Sequence, residues 1–301
     1  MFFRSNILFF LAFFSCNIHC AKIIGLVPVR NESLVIAQYL KSLSLYSDGI
    51  IVLDDASEDN TVEIIKSLAD ECNVLEIIVK DKWYLDEPGD RNKLLQAGRA
   101  HGGTHFILID ADEMFSATSL KNNALRNKIL SLKPGQRIQM YWIELWRNCD
   151  QFILGRPYKK DFIFCDDGVC CHKSDFVHTP RVPNLKGEIF VEKDYLTFNV
   201  LHFCSANLKN RRIKTCWYMC LEKIRTNKSA QAINYRYEGD IDETNLKIYK
   251  TKKEWFDYSF FDAQQFEKPD TWRKQQVLDW FKLYGTDFFK DLNIWDVDWF
   301  S

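Results

Sequence analysis

Two aspartates one residue apart, Asp110 and Asp112 in "FILIDADE", stand directly after an apolar run. Paired hard oxygens of this kind suit Mg2+ or Mn2+, which fill their remaining positions with water and substrate phosphate. If the chain stays extended there, a side-chain period of two puts both carboxylates on one side and turns Ala111 away. A second acidic pair, Asp54-Asp55, follows another apolar run, and Arg30, Asn31 and Glu32 follow a third. Acidic groups collected in one place repel each other unless a cation or hydrogen-bond donors lie among them, so the pattern points to a ligand. The plain alternative for an isolated Asp-x-Asp is a solvated turn after a buried strand.

The elements that must position these groups alternate along the chain. Ile23–Val29 is nearly all apolar, as a strand buried on both faces requires, and Asn31 offers an N-cap for a helix carrying Ile36, Leu40 and Leu43. Residues 49–53 repeat the strand signal, and Val62, Ile65 and Ala69 mark the next helix. A third strand fits residues 74–79. Asp90 is placed to cap a helix that runs to Ala100 and stops at Gly102-Gly103, and residues 105–109 form a fourth strand. This order predicts an α/β fold, a mostly parallel sheet covered by helices, with ligands at the carboxyl ends of its strands. All three polar clusters fall at such ends.

Taken together, "GLVPVRNES", "VLDDASEDNT", "GDRNKLLQAG" and "FILIDADE" resemble the inverting glycosyltransferase family 2, whose fold is called GT-A. The resemblance covers residues 22–115 motif by motif. It implies a nucleotide-diphosphate sugar donor, a divalent metal, Mn2+ or Mg2+, and a glycan, lipid or protein acceptor. By the same resemblance Asp55 accepts a hydrogen bond from the nucleotide base, Arg91 lies near the nucleotide or its diphosphate, and Pro28 and Asn31 line the base and ribose pocket. Asp110 approaches the donor's ribose or sugar, and Asp112 holds the metal. A late histidine often serves related enzymes as a further metal ligand, and His202 in "NVLHF" is the position chosen here. A hydrogen-bonded core histidine is the competing reading.

Inversion requires a carboxylate that takes the acceptor hydroxyl's proton. Many family members carry it in a Glu-Asp pair in the second half of the domain, whereas the only such pair here, Glu58-Asp59, lies inside the nucleotide motif. Asp167 in "FIFCDDG" is the expected substitute, with Asp175 and Glu188 behind it. The Gln-x-x-Arg-Trp motif of processive synthases is missing, which favours single transfers. Between Cys170 and Gly187 a stretch with His172, His178, Lys173 and Arg181 but little acid is suited to closing over a diphosphate or acceptor, or is an ordinary solvated loop. The spacing of Cys165, Cys170, Cys171 and His172 does not suit a structural zinc.

Forty Lys and Arg against 41 Asp and Glu give a net charge of -1, which argues against an evenly basic nucleic-acid binder. Ten cysteines without a Cys-x-x-Cys pair frame neither a disulfide scaffold nor a zinc ribbon. Residues 1–21 hold a short apolar run behind Arg4 and are expected to be a signal-like or anchor-like segment. Residues 22–230 are expected to form the catalytic domain and 231–301 an aromatic-rich extension, since five of the nine Trp lie beyond residue 251. Residues 209–228 carry seven Lys or Arg beside a helical apolar stripe, a solvated face or one for peripheral membrane contact. Two rival functions are a non-catalytic nucleotide-sugar or glycan-binding pseudo-enzyme and a haloacid-dehalogenase-type phosphatase. Against the second, Asp110-x-Asp112 follows the fourth strand and is followed by Glu113.

Overall fold

An uninterrupted apolar strand can pair on both edges and be covered on both faces, and this is what β1 (Ile23–Val29) does at the centre of the sheet. The computed structural model describes residues 21–173, 178–238, 246–269 and 271–300. After β1 come α1 (Ile36–Ser44), β2 (Gly49–Asp54), α2 (Thr61–Ser67), β3 (Val74–Val79), α3 (Glu87–Ala100) and β4 (His105–Ile107). The strands β3, β2, β1 and β4 lie side by side in parallel. Alternate residues serve opposite faces: Ile23, Val27, Ile50 and Val52 pack under α1, while Ile24, Leu26, Ile51 and Leu53 pack under α3.

Two helix starts differ from expectation. Asn31 takes a left-handed conformation (φ 52°) and α1 begins five residues later, after a turn in which Glu32 O accepts from Val35 N and Ile36 N. On α3 the cap is Asp86, whose carboxylate accepts from Gly89 N at 3.0 Å, with proline in the first turn; Asp90 lies inside the helix. The earlier start places Glu87 and Arg91 one turn apart on the same helix face.

The second half is antiparallel where the chain returns. β5 (Glu113–Phe115), α4 (Ala124–Leu130), β6 (Arg137–Leu145), β7 (Gln151–Cys165), β8 (Ile189–Val191) and β9 (Asn199–His202) complete the order β3-β2-β1-β4-β7-β6-β9-β5, and β8 joins β6. β7 opposes β4, so that Cys165 sits across from His105, at the edge where β4 begins. β9 runs between β6 and β5 and sets His202 directly opposite both Glu144 and Glu113. The mixed strands therefore carry residues to both edges of the sheet.

α5 (Leu208–Arg225), α6 (Ala230–Glu238), β10 (Tyr249–Lys250), α7 (Gln264–Glu267) and α8 (Thr271–Tyr284) follow. Trp217, Cys220 and Leu221 of α5 share one buried cluster with Ile233 of α6, Val277 and Phe281 of α8, and Phe289 and Trp299 beyond it. A cut at residue 230 would divide this cluster. Trp255, Tyr258 and Phe266 pack on Ile143, Leu145 and Phe203, so the aromatic tail covers the second half of the sheet. Among the described residues no helix is long and apolar enough to cross a membrane. The signal-like segment, apart from its last residue, and Asp175 fall outside the described residues.

α3 approaches the sheet closely at Gly98, where an added Cβ would stand 2.6 Å from Cε1 of Phe106 and 3.1 Å from Cδ2 of Leu26. Overpacking of this sort costs about 1–3 kcal/mol, against about 1 kcal/mol gained from the helix preference of alanine. Gly98→Ala is expected to lower stability by up to ~2 kcal/mol net in chemical denaturation.

Candidate active site

The turn after β4 decides where its acids point. Glu113 N donates to Asp110 O at 2.9 Å, so the chain reverses instead of remaining extended, and Ala111 is buried. The two aspartates consequently face different partners. Asp110 meets the guanidinium of Arg181 and, at 3.8 Å, that of Arg91. Asp112 accepts from Lys214 Nζ at 2.7 Å and lies 3.5 Å from Nε2 of His202, both through the same oxygen, Oδ2.

Glu113 completes the acidic group. It is fully buried and accepts from the backbone N–H of Asp110 (2.9 Å), Trp142 Nε1 (2.7 Å) and Arg181 Nη2 (2.6 Å). Burial alone would raise the Asp110 carboxyl, but Arg181 and Arg91 hold it below the usual carboxylate range. At Asp112 burial is likewise outweighed, here by Lys214 and then His202, and the carboxyl is held well below that range. Arg181 responds in the opposite sense: burial disfavours its charge, while Asp110 and Glu113 push its pKa up.

Arg181 reaches this edge on a long loop that starts at the other one. Asp166 follows β7 and is clasped by Arg99, which donates Nε and Nη2 at 2.7 Å each. Asn92 then exchanges two hydrogen bonds with the backbone of His172, and Thr179 N donates to Glu87 at 2.8 Å. These contacts lead the loop along α3 from its last turn to its first. The His178 ring lies 5.0 Å from that of Tyr218 of α5, tilted by 42°.

Asp167, the expected base, stands apart from this acidic group. Asp167 adjoins the end of β7 at the edge where β4 begins, and its carboxylate accepts from Val169 N and Cys170 N to close a surface turn. The apolar run before it is a strand, but an antiparallel one, so its end lies away from Asp110. Glu188 belongs to that edge as well, because its carbonyl accepts from the first residue of β6, Arg137.

The remaining expected residues are distributed around the cleft. Asp55, at the end of β2, pairs with Lys80 at 2.6 Å, and Lys80 also bonds Asp90 at 2.8 Å, tying β2 to α3. Burial raises the Asp55 pKa against the pull of Lys80. Pro28 lies in β1 opposite Leu53. Asn31 braces the next loop, accepting from Glu58 N at 2.7 Å and donating its backbone N–H to Ser57. Arg30 lies 5.3 Å from the Trp83 ring and 5.6 Å from that of Trp272 in α8, so the tail reaches the turn after β1.

The donor set fits a divalent cation. Asp112, His202 and Cys204 bring one ligand atom each within 4.8 Å of one another, and His202 Nδ1 is buried without a hydrogen-bond partner. Burial pushes the Cys204 thiol up to about 11; the carboxylate and imidazole beside it are a pair suited to Mn2+. Trp142 lies 4.4 Å from the His202 ring, and the Lys160 ammonium stands 3.1 Å from the Trp142 ring centre. Burial and then Arg181 lower the Lys160 pKa to about 8.

Three groups escaped the sequence reading as site residues: Lys214, Glu87 and Glu113. The cations of 209–228 were read as a solvated or membrane-facing surface, yet Arg211 lies 3.6 Å from Glu144, Arg212 clasps Asp296 and Lys214 meets Asp112. Glu87 begins α3, and burial raises its pKa in spite of Arg91.

Residues 26–123 match the model of a family described as Glycosyl transferase family 2. No curated protein sequence matches the chain. Among solved structures, TarS of S. aureus in complex with UDP is similar over 72% of this chain and 72% of its own, at 15% identity and a TM-score of 0.42. A mannosyltransferase of Pyrobaculum calidifontis in complex with GDP-Man and Mn2+ is similar over 69% of this chain and 65% of its own, at 14% identity and a TM-score of 0.43.

The loop that carries Arg181 holds two neutral histidines. Burial, and then Arg91 for His172 and Arg236 for His178, lowers both from 6.5 to about 4. The unfolded chain therefore binds more protons between those values, so stability is greatest above about 6.5 and falls as the pH drops toward about 4. His172→Gln is expected to melt progressively closer to, or above, the wild type as pH is lowered across that window in calorimetry.

Proposed function

We propose that this chain, a transferase of the glycosyl transferase family 2 type by the match over residues 26–123, is an inverting enzyme. It moves a sugar from a nucleoside diphosphate sugar to an acceptor hydroxyl with the help of a divalent cation. The observation that carries this reading is the meeting of Asp112 and His202 at the carboxyl edge, beside an Asp110 flanked by two guanidinium groups.

Asp112 and His202 would hold Mn2+ or Mg2+, which when bound neutralises charge on the diphosphate leaving group. Asp55, beside Pro28 and Asn31 at the first two strand ends, is suited to a donor N–H of the nucleotide base. Arg91 and Arg181 are always charged and supply planar donors for phosphate or sugar oxygens next to Asp110. In a single displacement the acceptor oxygen bonds to the anomeric carbon as the bond to the diphosphate breaks, and a carboxylate takes the acceptor's proton.

For that carboxylate we choose Glu87 in place of Asp167. It shares a helix face with Arg91 one turn on, and its raised pKa makes it a stronger base than an exposed glutamate. The loop contact from Thr179 fixes its position.

The full chain is expected to release nucleoside diphosphate from one member of a panel of UDP-, GDP- and dTDP-sugars when Mn2+ is present and not with EDTA. Asp112→Ala should abolish this release, and metal-dependent binding without turnover would instead support a non-catalytic domain. Glu87→Gln is expected to lower turnover about 100-fold with donor affinity kept, the usual share of a general base. Because a base works only when deprotonated, the acid limb of the wild-type pH profile should lie above the ordinary glutamate range, and the variant should lack it.

A further inference from the structure

The metal reading above leaves Lys214 unexplained. Its ammonium donates at 2.7 Å to Asp112 Oδ2, the one oxygen that also faces His202 Nε2 at 3.5 Å. A cation shared by Asp112 and His202 needs that oxygen, at about 2.0–2.2 Å for a divalent metal. An ammonium and a divalent ion on one half-buried oxygen would repel each other. We infer that Lys214 is an internal cation occupying the metal position, and that metal binding exchanges it. This inference rests on the proposed metal-dependent reaction and adds its order of events.

The exchanged side chain has a place to go. Lys214 and Asp112 line a cavity of about 420 Å³ between the turn after β1 and residues 265–273 of the tail. Its wall includes Asn31, Asn210, Lys268 and Arg273. Lysine has a flexible four-carbon stem, and its donors are not locked in a plane as those of arginine are. The cavity is lined by three cations, Lys214, Lys268 and Arg273, and three acids, Glu32, Asp59 and Asp112, with Glu32 lying 3.4 Å from Arg273. These charges balance, so a divalent ion added at Asp112 leaves an excess of positive charge there unless an anion comes too. The nucleoside diphosphate supplies that anion, so metal and donor bind as a pair and metal alone binds weakly. The imidazole of His202 adds no negative charge that would favour the metal by itself.

The test measures free Mn2+ by electron paramagnetic resonance in titrations of the full chain, with and without UDP or GDP. Wild type is expected to bind Mn2+ weakly alone and about tenfold or more tightly with the nucleotide, a coupling in the usual range. Lys214→Met and Lys214→Gln should each bind Mn2+ alone about tenfold more tightly than wild type and show a smaller nucleotide effect. Lys214→Arg, which keeps the charge, should remain weak, and Lys268→Met, which removes a cavity charge without touching Asp112, should change Mn2+ affinity less than twofold. Equal affinity in wild type and both neutral Lys214 variants would overturn the exchange while leaving the metal reading in place. Tightening of equal size in Lys268→Met would overturn it in favour of a general field effect. No Mn2+ binding by any form, even with UDP and GDP, would overturn the metal reading and the exchange together.

Discussion

Three carboxylates within four residues, Asp110, Asp112 and Glu113, meet at one buried edge of a sheet, and the surrounding structure is organised around neutralising them. Like charges at such spacing in a poorly solvated place are unfavourable by several kcal/mol in order of magnitude unless cations interpose. The chain supplies those cations from three distant elements: Arg91 from α3, Arg181 from the loop after β7 and Lys214 from α5. Elements with no pairing in the sheet are thereby fixed to its working edge.

Each cation is in turn held by its own support, which makes the arrangement more than a set of surface ion pairs. α3 is capped by Asp86 and fastened to β2 through Lys80. The Arg181 loop is pinned at both ends of α3, by Arg99 on Asp166 and by Glu87 on Thr179. α5 is capped by Asn207 and buries Trp217, Cys220 and Leu221 against α6 and α8. The aromatic tail thus contributes to the site without touching the acids: it keeps α5 at the angle from which Lys214 meets Asp112, and it sets Trp272 near Arg30.

Much of this was legible in the sequence, and the errors have definite physical origins. Strands such as Ile23–Val29 and Val74–Val79 are announced by their composition, and so is the position of Asp55, Asp110 and Asp112 just after strand ends. The separation of Asp110 from Asp112 was not legible, because a period of two holds only while the backbone stays extended and here Glu113 closes a turn. The position of Asp167 was not legible for a related reason: an apolar run reveals a strand but not its direction, and β7 runs against β4. Asp90 yielded the cap of α3 to Asp86 four residues earlier, a competition between two equally good capping residues that local sequence does not resolve. Lys214 lay hidden in an amphipathic pattern, since periodicity separates buried from exposed faces and cannot identify a cation that is half-buried against another element's acid.

The chemistry of the partners divides the two aspartates further than their positions do. Asp110 faces guanidinium groups, which stay charged, hold fixed planes of donors and pair with a carboxylate through more than one contact. Such a carboxylate is held in orientation and is poorly placed to take up an ion. Asp112 faces an amine on a flexible stem and an imidazole, both of which can give way or change partner. For the reaction proposed above, a site that fixes a sugar and admits a metal-bound diphosphate would benefit from this asymmetry, because rigidity at one carboxylate preserves geometry while the other remains available for exchange. The turn at Ala111 produces that division by pointing neighbouring acids toward different elements, at no greater structural expense than one backbone hydrogen bond to Asp110.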